Sequence, residues 1–343
     1  MSVEFCGLEL AHRVINGSGT YDAIAAKLAF GEQLAEDFPF AAYVSKTITL
    51  QPRAGNPPPR IWELGDGMIN SIGLPNKGLE RYLGEDVPAL ARLRTRALAE
   101  DPRHYTVPLV TNVMGSTAAE LQRLVEACDA PREIAAIELN VSCPNVRTGL
   151  DIGADPHQLE SVVRSLRDAT RKPLIVKLTP NTADVAACAQ AAEAGGADAV
   201  SLINTLRALA LAPGAGARRP WLGGGSGGLS GQALRSVALA QVAAVAERVR
   251  IPVIGMGGVQ SAPDARALID VGATLVAIGT ESFRDPLAGR RIAYALEAVR
   301  GDGPQRQASG GQARRERAGA VAGAPEPEQN PCKRGSAGSQ GGA

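Results

Sequence analysis

IPVIGMGGV (residues 251–259) and LVAIGT (residues 275–280) share one design. Each is a short apolar run that ends on glycine, with a helix start close behind, near Ser261 in the first case. An apolar run without polar alternation suits a parallel strand buried on both faces. Glycine lets backbone amides approach a ligand closely, and the N-terminus of the next helix favours negative charge. Two such βα turns, at Gly257-Gly258 and Gly279-Thr280, predict a site for a terminal phosphate. Ser230-Gly231, inside GGGSGGLSGQAL (223–234), supplies a further glycine at a helix start. Turn glycines are common, so the structural alternative is that Gly257, Gly258 and Gly279 only make tight turns.

Six more apolar runs precede these two. Val14–Asn16, Ala42–Lys46, Pro108–Asn112, Ala135–Asn140, Pro173–Leu178 and Ala199–Asn204 join Val253–Gly255 and Leu275–Gly279 as candidate strands. Amphipathic helical patterns separate them. Thr117 with Glu120 forms a capping box, and Asp155-Pro156 and Asp285-Pro286 place a cap residue before proline. An α/β chain with eight βα repeats predicts a (β/α)8 TIM barrel, with its ligand loops at the C-terminal face. An open dinucleotide-binding sheet should show GxGxxG after its first strand, and Gly17-Ser18-Gly19 does not continue that way. Thr47–Leu74 and Leu206–Ser230 are long loops that should rise from the same face. The barrel is expected over residues 1–300. Residues 301–343, rich in Gly, Ala, Arg, Gln, Ser, Glu and Pro, read as a disordered low-complexity tail.

Composition narrows the function. The chain has 343 residues, 36 Lys+Arg against 35 Asp+Glu, and 3% aromatic residues. That balance offers no basic footprint for nucleic acid, and few aromatics for stacking single strands. No apolar stretch approaches the ~20 residues that cross a bilayer. Met1–Ile15 has neither a basic start nor an apolar core of a signal peptide. Five scattered cysteines form no CxxC pair and no metal or cluster spacing, so a reduced cytoplasmic protein with no metal is expected.

ELNVSCPN (138–145) ends the fourth strand and places Asn140, Ser142, Cys143 and Asn145 at the barrel mouth. Asparagine both donates and accepts, which suits a flat ligand with alternating carbonyl and N–H groups. A thiol of ordinary pKa about 8.5 can take a proton from carbon once activated. Cys6, Cys128 and Cys188 instead fit a small buried hydrophobe. NSIGLPN (70–76) follows Lys46, and its amides at Ile72, Gly73 and Leu74 could nest a carboxylate between Asn70 and Asn76. Asn204-Thr205 follows strand six, and Lys177 in VKLTP ends strand five. A buried lysine suits either a Schiff base or an anion partner. With two lysines and many asparagines, electrostatic work on a flavin ring is favoured. His12, His104 and His157 do not fall at strand ends.

NSIGLPN, ELNVSCPN, VKLTP, INT, GGLSG, IGMGG and IGT, in this order, resemble the class 1 dihydroorotate dehydrogenases over roughly residues 3–300. The resemblance implies FMN-dependent oxidation of dihydroorotate to orotate in pyrimidine biosynthesis. Cys143 matches the base that removes the C5 proton while hydride leaves C6 for flavin N5. Lys46, Asn70, Asn140, Asn145, Asn204 and Thr205 match substrate contacts, with the amides of Ile72, Gly73 and Leu74 at the carboxylate. Ser18, Gly19, Lys46, Asn112, Asn140, Lys177, Gly231, Gly257, Gly258, Gly279 and Thr280 match flavin contacts. SKTITLQPRAGNPPPRIWE (45–63) with INTL and IPVIGMGG looks closest to the NAD-linked branch, subclass B. That branch implies a homodimeric core and a second subunit carrying FAD and a [2Fe-2S] cluster. GSGTYDA (17–23) and GGLSGQALR (227–235) depart from the family pattern. Three alternatives stand beside this: a related FMN enzyme for another dihydropyrimidine, a Schiff-base aldolase using Lys177, and a non-catalytic flavin-binding module.

Overall fold

Eight parallel strands follow one another around a barrel in the computed structural model, which describes residues 2–31, 38–94, 107–141, 152–214 and 218–301. They are β3 (Val14–Asn16), β4 (Tyr43–Val44), β7 (Leu109–Val113), β8 (Ile134–Asn140), β9 (Leu174–Lys177), β10 (Ala199–Leu202), β13 (Val253–Met256) and β14 (Leu275–Ile278). The order is β3-β14-β13-β10-β9-β8-β7-β4, every pairing parallel. All eight coincide with the runs picked out in the sequence. The ring is closed between β3 and β4 largely by a side chain. Asn16 donates to Val44 O and accepts from Val44 N, both at 2.8 Å, and Ala41 N donates to Val14 O at 2.9 Å. An asparagine amide carries one donor and one acceptor, the same pair a strand neighbour would offer.

Alternation along the strands makes two cores. Outward residues such as Leu109, Ile137, Leu139, Leu174, Val176, Val200 and Val276 pack under the helices. Helix Ala118–Asp129 buries Leu121, Leu124, Val125 and Cys128, one face at helical spacing. Inward residues Ile15, Val44, Val110, Ala136, Ile175, Ala199, Ile254 and Leu275 fill the barrel floor. Phe5 and Leu10 join that cluster from a hairpin, β1 (Val3–Phe5) and β2 (Leu8–Leu10). Cys6 and Gly7 turn it with positive φ, the two-residue loop favoured by strand twist.

The caps fall where expected. Thr117 accepts from Glu120 N, while the Glu120 carboxylate takes Ser116 N at 2.7 Å. Asp155 accepts from His157 N and Gln158 N. Asp285 accepts from Leu287 N, and the last helix runs Ala288–Gly301.

The two long loops are a different matter. They carry strands β5 (Ile61–Leu64), β6 (Gly67–Asn70), β11 (Leu206–Ala208) and β12 (Gly227–Ser230), which form one antiparallel sheet in the order β11-β12-β6-β5. Local patterning in Thr47–Leu74 and Leu206–Ser230 gives no strand signal. Two of the four are glycine-bearing, and β12 pairs with β6 only because the barrel brings residues 228 and 70 together. Trp62 and Trp221 pack edge-on at 5.7 Å with Ile69, Ala210 and Leu222 beneath this sheet. Residues 1–303 form one compact unit. Except for Gly301, which ends the last helix, the segment expected to be a tail lies outside the described residues. Among those residues no helix is long and apolar enough to cross a membrane, and no group of His, Cys, Asp or Glu could hold a metal ion.

Candidate active site

Four barrel strands switch from apolar to polar inward residues toward their C-terminal ends. Val110 is followed by Asn112, Ala136 by Glu138 and Asn140, Ile175 by Lys177, and Ala199 by Ser201. Buried polar groups in a barrel cost stability unless they are paired, so this switch marks where the floor ends and a site begins. Above it lies a cavity of about 420 Å³ between the barrel mouth and the antiparallel sheet. Its size and mixed lining are those of a small-molecule or cofactor site.

One end of the cavity is built by the glycine loops. Gly231, Gly257, Gly258, Gly279 and Thr280 all line it. Gly257 and Gly258 have φ of +133° and +72°. A Cβ at these positions would also meet Ala238 at 2.6 Å and Arg235 at 2.7 Å, so packing alone demands glycine there. Gly279 differs, because its nearest neighbour would be Thr20 Cγ2 at 3.7 Å. Its glycine is explained by the cavity rather than by the fold. Ser261 caps the helix Ala262–Asp270, and Asp264 takes Ser261 Oγ at 2.6 Å and Gln260 N at 3.2 Å. Thr280 Oγ1 donates to Ser230 Oγ at 2.9 Å, tying this end to the antiparallel sheet. Glu281 also lines it, with one carboxylate oxygen near Arg291 at 3.3 Å and the other buried with no partner among the described residues.

The middle of the cavity is lined by Ser18, Gly19, Lys46, Asn140, Lys177, Asn204 and Thr205. Ser18 Oγ donates to Ser45 O at 2.8 Å. Asn140 Nδ2 lies 3.4 Å from Thr47 Oγ1, and Asn204 Nδ2 lies 3.5 Å from Asn140 Oδ1. Asn140 and Lys177 face each other in register across β8 and β9. Lys177 is only 6% exposed, and its ammonium has no hydrogen-bond or ionic partner among the described residues. A buried cation without a partner needs an anion or a ligand dipole. Lys46 carries an ammonium whose pKa is lowered, first by partial burial, with the Asp22 charge opposing and the Arg60 charge reinforcing the shift.

At the far end stand Asn70, Ile72, Gly73 and Leu74. Gly73 and Leu74 both have positive φ, +75° and +56°, a left-handed turn of the backbone. The amides of Ile72, Gly73 and Leu74 have no acceptor among the described residues. Asn70 Nδ2 donates to Gly228 O at 3.3 Å.

All the residues expected at the site line this cavity except Asn76, Asn112, Ser142, Cys143 and Asn145. Cys143 and Asn145 lie outside the described residues. Asn112 is fully buried and does not line the cavity; its Nδ2 donates to Glu138 at 2.5 Å and its Oδ1 has no partner among the described residues. Sequence reasoning missed Thr20, Thr47, Gln260 and Glu281, each adjacent or nearly adjacent to a residue it found. It also missed the apolar wall of Ile61, Met68, Leu234 and Phe283, which ordinary core patterning hides. Burial raises the Cys6 and Cys128 thiols to about 12, and Cys188 is fully buried, so none of the three is a ready base. His12 Nδ1 accepts from Val14 N at 3.2 Å and His157 sits at a helix start, both away from the cavity.

Known proteins agree with this architecture. A solved structure of DHODH from Eimeria tenella, in complex with ferulenol, superposes with a TM-score of 0.68 at 23% identity. It covers 87% of this chain and 84% of that one. Two bacterial relatives are each named dihydroorotate dehydrogenase B (NAD(+)), catalytic subunit. The protein of Trichlorobacter lovleyi is 43% identical over 301 residues, 87% of this chain and 92% of its own. That of Desulforudis audaxviator is 43% identical over 300 residues, 86% of this chain and 91% of its own. The family model described as dihydroorotate dehydrogenase matches residues 1–299. With its barrel, its glycine-lined cavity and these relatives, the chain belongs to the dihydroorotate dehydrogenase family, oxidoreductases that oxidise dihydroorotate in pyrimidine biosynthesis.

Proposed function

We propose that this dehydrogenase uses FMN, with Cys143 as its base, and passes electrons to a second subunit carrying FAD and a [2Fe-2S] cluster, with NAD as acceptor. The observation that carries the FMN reading is the polarity of the cavity. Glycine loops with helix starts behind them, a buried lysine without a partner among the described residues, and the free amides of Ile72–Leu74 all line it. A phosphate, a flavin ring and a substrate carboxylate meet suitable groups in that order. A bound flavin supplies the acceptor for the hydride that leaves C6 of the substrate.

The chain's own residues do the rest. Gly231, Gly257, Gly258, Gly279 and Thr280 would hold the phosphate, with Ser18 and Gly19 as further flavin contacts and Asn112 supporting the flavin site from beneath through Glu138. Lys177 would stabilise negative charge on the reduced ring. The Ile72–Leu74 amides take the substrate carboxylate. Lys46, Asn70, Asn140, Asn145, Asn204 and Thr205 orient its ring. Cys143 takes the C5 proton. It stands three residues after Asn140, which lines the cavity, so the chain keeps it within about 11 Å of that residue's backbone.

Family membership sets aside the Schiff-base role for Lys177. The test begins with the visible spectrum of the purified chain, before and after anaerobic dihydroorotate. Oxidised flavin that bleaches promptly supports the reading, and a colourless protein that FMN cannot reconstitute sinks it. Relatives named as catalytic subunits support the partner. Co-expression should yield a complex that reduces NAD, and sedimentation should find two copies of this chain in it. We further assign residues 1–300 to the FMN domain and 301–343 to a disordered tail, which limited proteolysis should remove without loss of flavin.

A further inference from the structure

We infer that Asn56 is a positioning residue that aims the amides of Ile72 and Gly73 at the substrate and so determines selectivity for a carboxylate. The argument starts from the peptide plane. In a trans peptide, the carbonyl of one residue and the N–H of the next point in opposite directions. Asn56 holds two successive carbonyls. Its side-chain Nδ2 donates to Ser71 O at 3.1 Å, and its backbone N donates to Ile72 O at 3.0 Å. The N–H groups of Ile72 and Gly73 are thereby turned away from Asn56. Ile72 and Gly73 line the cavity and Asn56 does not, so away from Asn56 is toward the cavity.

Neighbouring glycines show how closely the two segments are pressed together. A Cβ at Gly73 would come 2.5 Å from Asn56 N, and one at Gly55 would come 2.6 Å from Ile72 O. Asn56 is itself fixed. Its Nδ2 also donates to Ser71 Oγ at 3.0 Å, and Arg60 Nε donates to its backbone oxygen at 2.5 Å. Aspartate at 56 would keep the volume but could only accept, so it would face Ser71 O with a like dipole.

The inference rests on the proposal that these amides take the substrate carboxylate. Its test uses the flavin-loaded protein and two ligands, orotate and uracil, which lacks the carboxylate. Equilibrium binding of each is measured for the wild type, Asn56→Asp and Asn56→Ala, alongside KM, kcat and thermal midpoint. In both variants orotate should weaken at least tenfold while uracil changes less than twofold. KM for dihydroorotate should rise by a similar factor with kcat within about threefold. Wild-type protein that binds uracil as tightly as orotate would overturn the carboxylate reading itself. A wild type that discriminates, with variants that discriminate equally or weaken both ligands alike, would overturn the role of Asn56 alone. Because aspartate also adds a charge that repels a carboxylate, Asn56→Ala decides the question, and the neutral Asn56→Ser takes its place if that variant fails to fold.

Discussion

Asn112 and Glu138 form a 2.5 Å hydrogen bond across β7 and β8, inside the barrel and just beneath the cavity. Glu138 is 2% exposed, and its second oxygen accepts from Ser201 Oγ at 2.6 Å. The Asn112 amide gives this bond its Nδ2 and keeps Oδ1 as an acceptor without a partner among the described residues. Glu138→Ala should strand two buried donors at once. Each such loss costs about 1–3 kcal/mol, so an overall loss of roughly 2–6 kcal/mol is expected in urea unfolding.

Gly279 separates ligand binding from folding. It has an ordinary φ and open space around a prospective Cβ, whereas Gly257 and Gly258 have neither. Gly279→Ala should leave the thermal midpoint of the flavin-free protein within about 2 °C, since a surface-like change of this kind stays within about 0.5 kcal/mol. FMN affinity, measured by fluorescence titration, should still fall about tenfold or more. Unchanged affinity would return Gly279 to a mere turn residue.

Cys143→Ser tests the base. Placed acid–base groups contribute about 10²–10⁴-fold, and a serine hydroxyl stays protonated where a thiol of pKa about 8.5 ionises. Flavin reduction by dihydroorotate, followed by stopped flow, should slow at least 10²-fold at pH 7. Its rate should climb with pH through about 10, where the wild type has levelled off above the thiol pKa.

Lys46 couples function to stability. Its folded pKa lies below 10.5, chiefly because the ammonium is partly desolvated. Between the folded and unfolded values the unfolded chain binds more protons, so this group makes stability rise with pH up to 10.5. At neutral pH the charged form is a cost that the fold carries. Lys46→Met should therefore flatten the stability–pH curve of the ligand-free protein as pH rises toward 10.5 without lowering its stability at pH 7, while dihydroorotate turnover collapses. A variant that unfolds more readily at pH 7 would contradict this.

Much of this was legible along the chain. Eight apolar runs needed burial on both faces, and helices between them forced parallel strands, so the barrel followed from pattern alone. Local motifs also carried the cavity wall, because Gly257-Gly258, Asn140, Lys177 and Asn204 sit at strand ends and a barrel gathers strand ends at one mouth. The antiparallel sheet was not legible. Gly228 meets Asn70 and Thr205 only through distant pairing, which no local periodicity encodes. Nor could the sequence show that Asn112 faces Glu138 rather than the cavity, since inward alternation gives the side of a strand but not the depth of a side chain. The seam at Asn16 and the grip of Asn56 on residues 71 and 72 belong to the same class. Sequence determined which residues could do chemistry, through residue type and period; tertiary structure decided which donors remain free, because that depends on every partner the fold brings within hydrogen-bond reach.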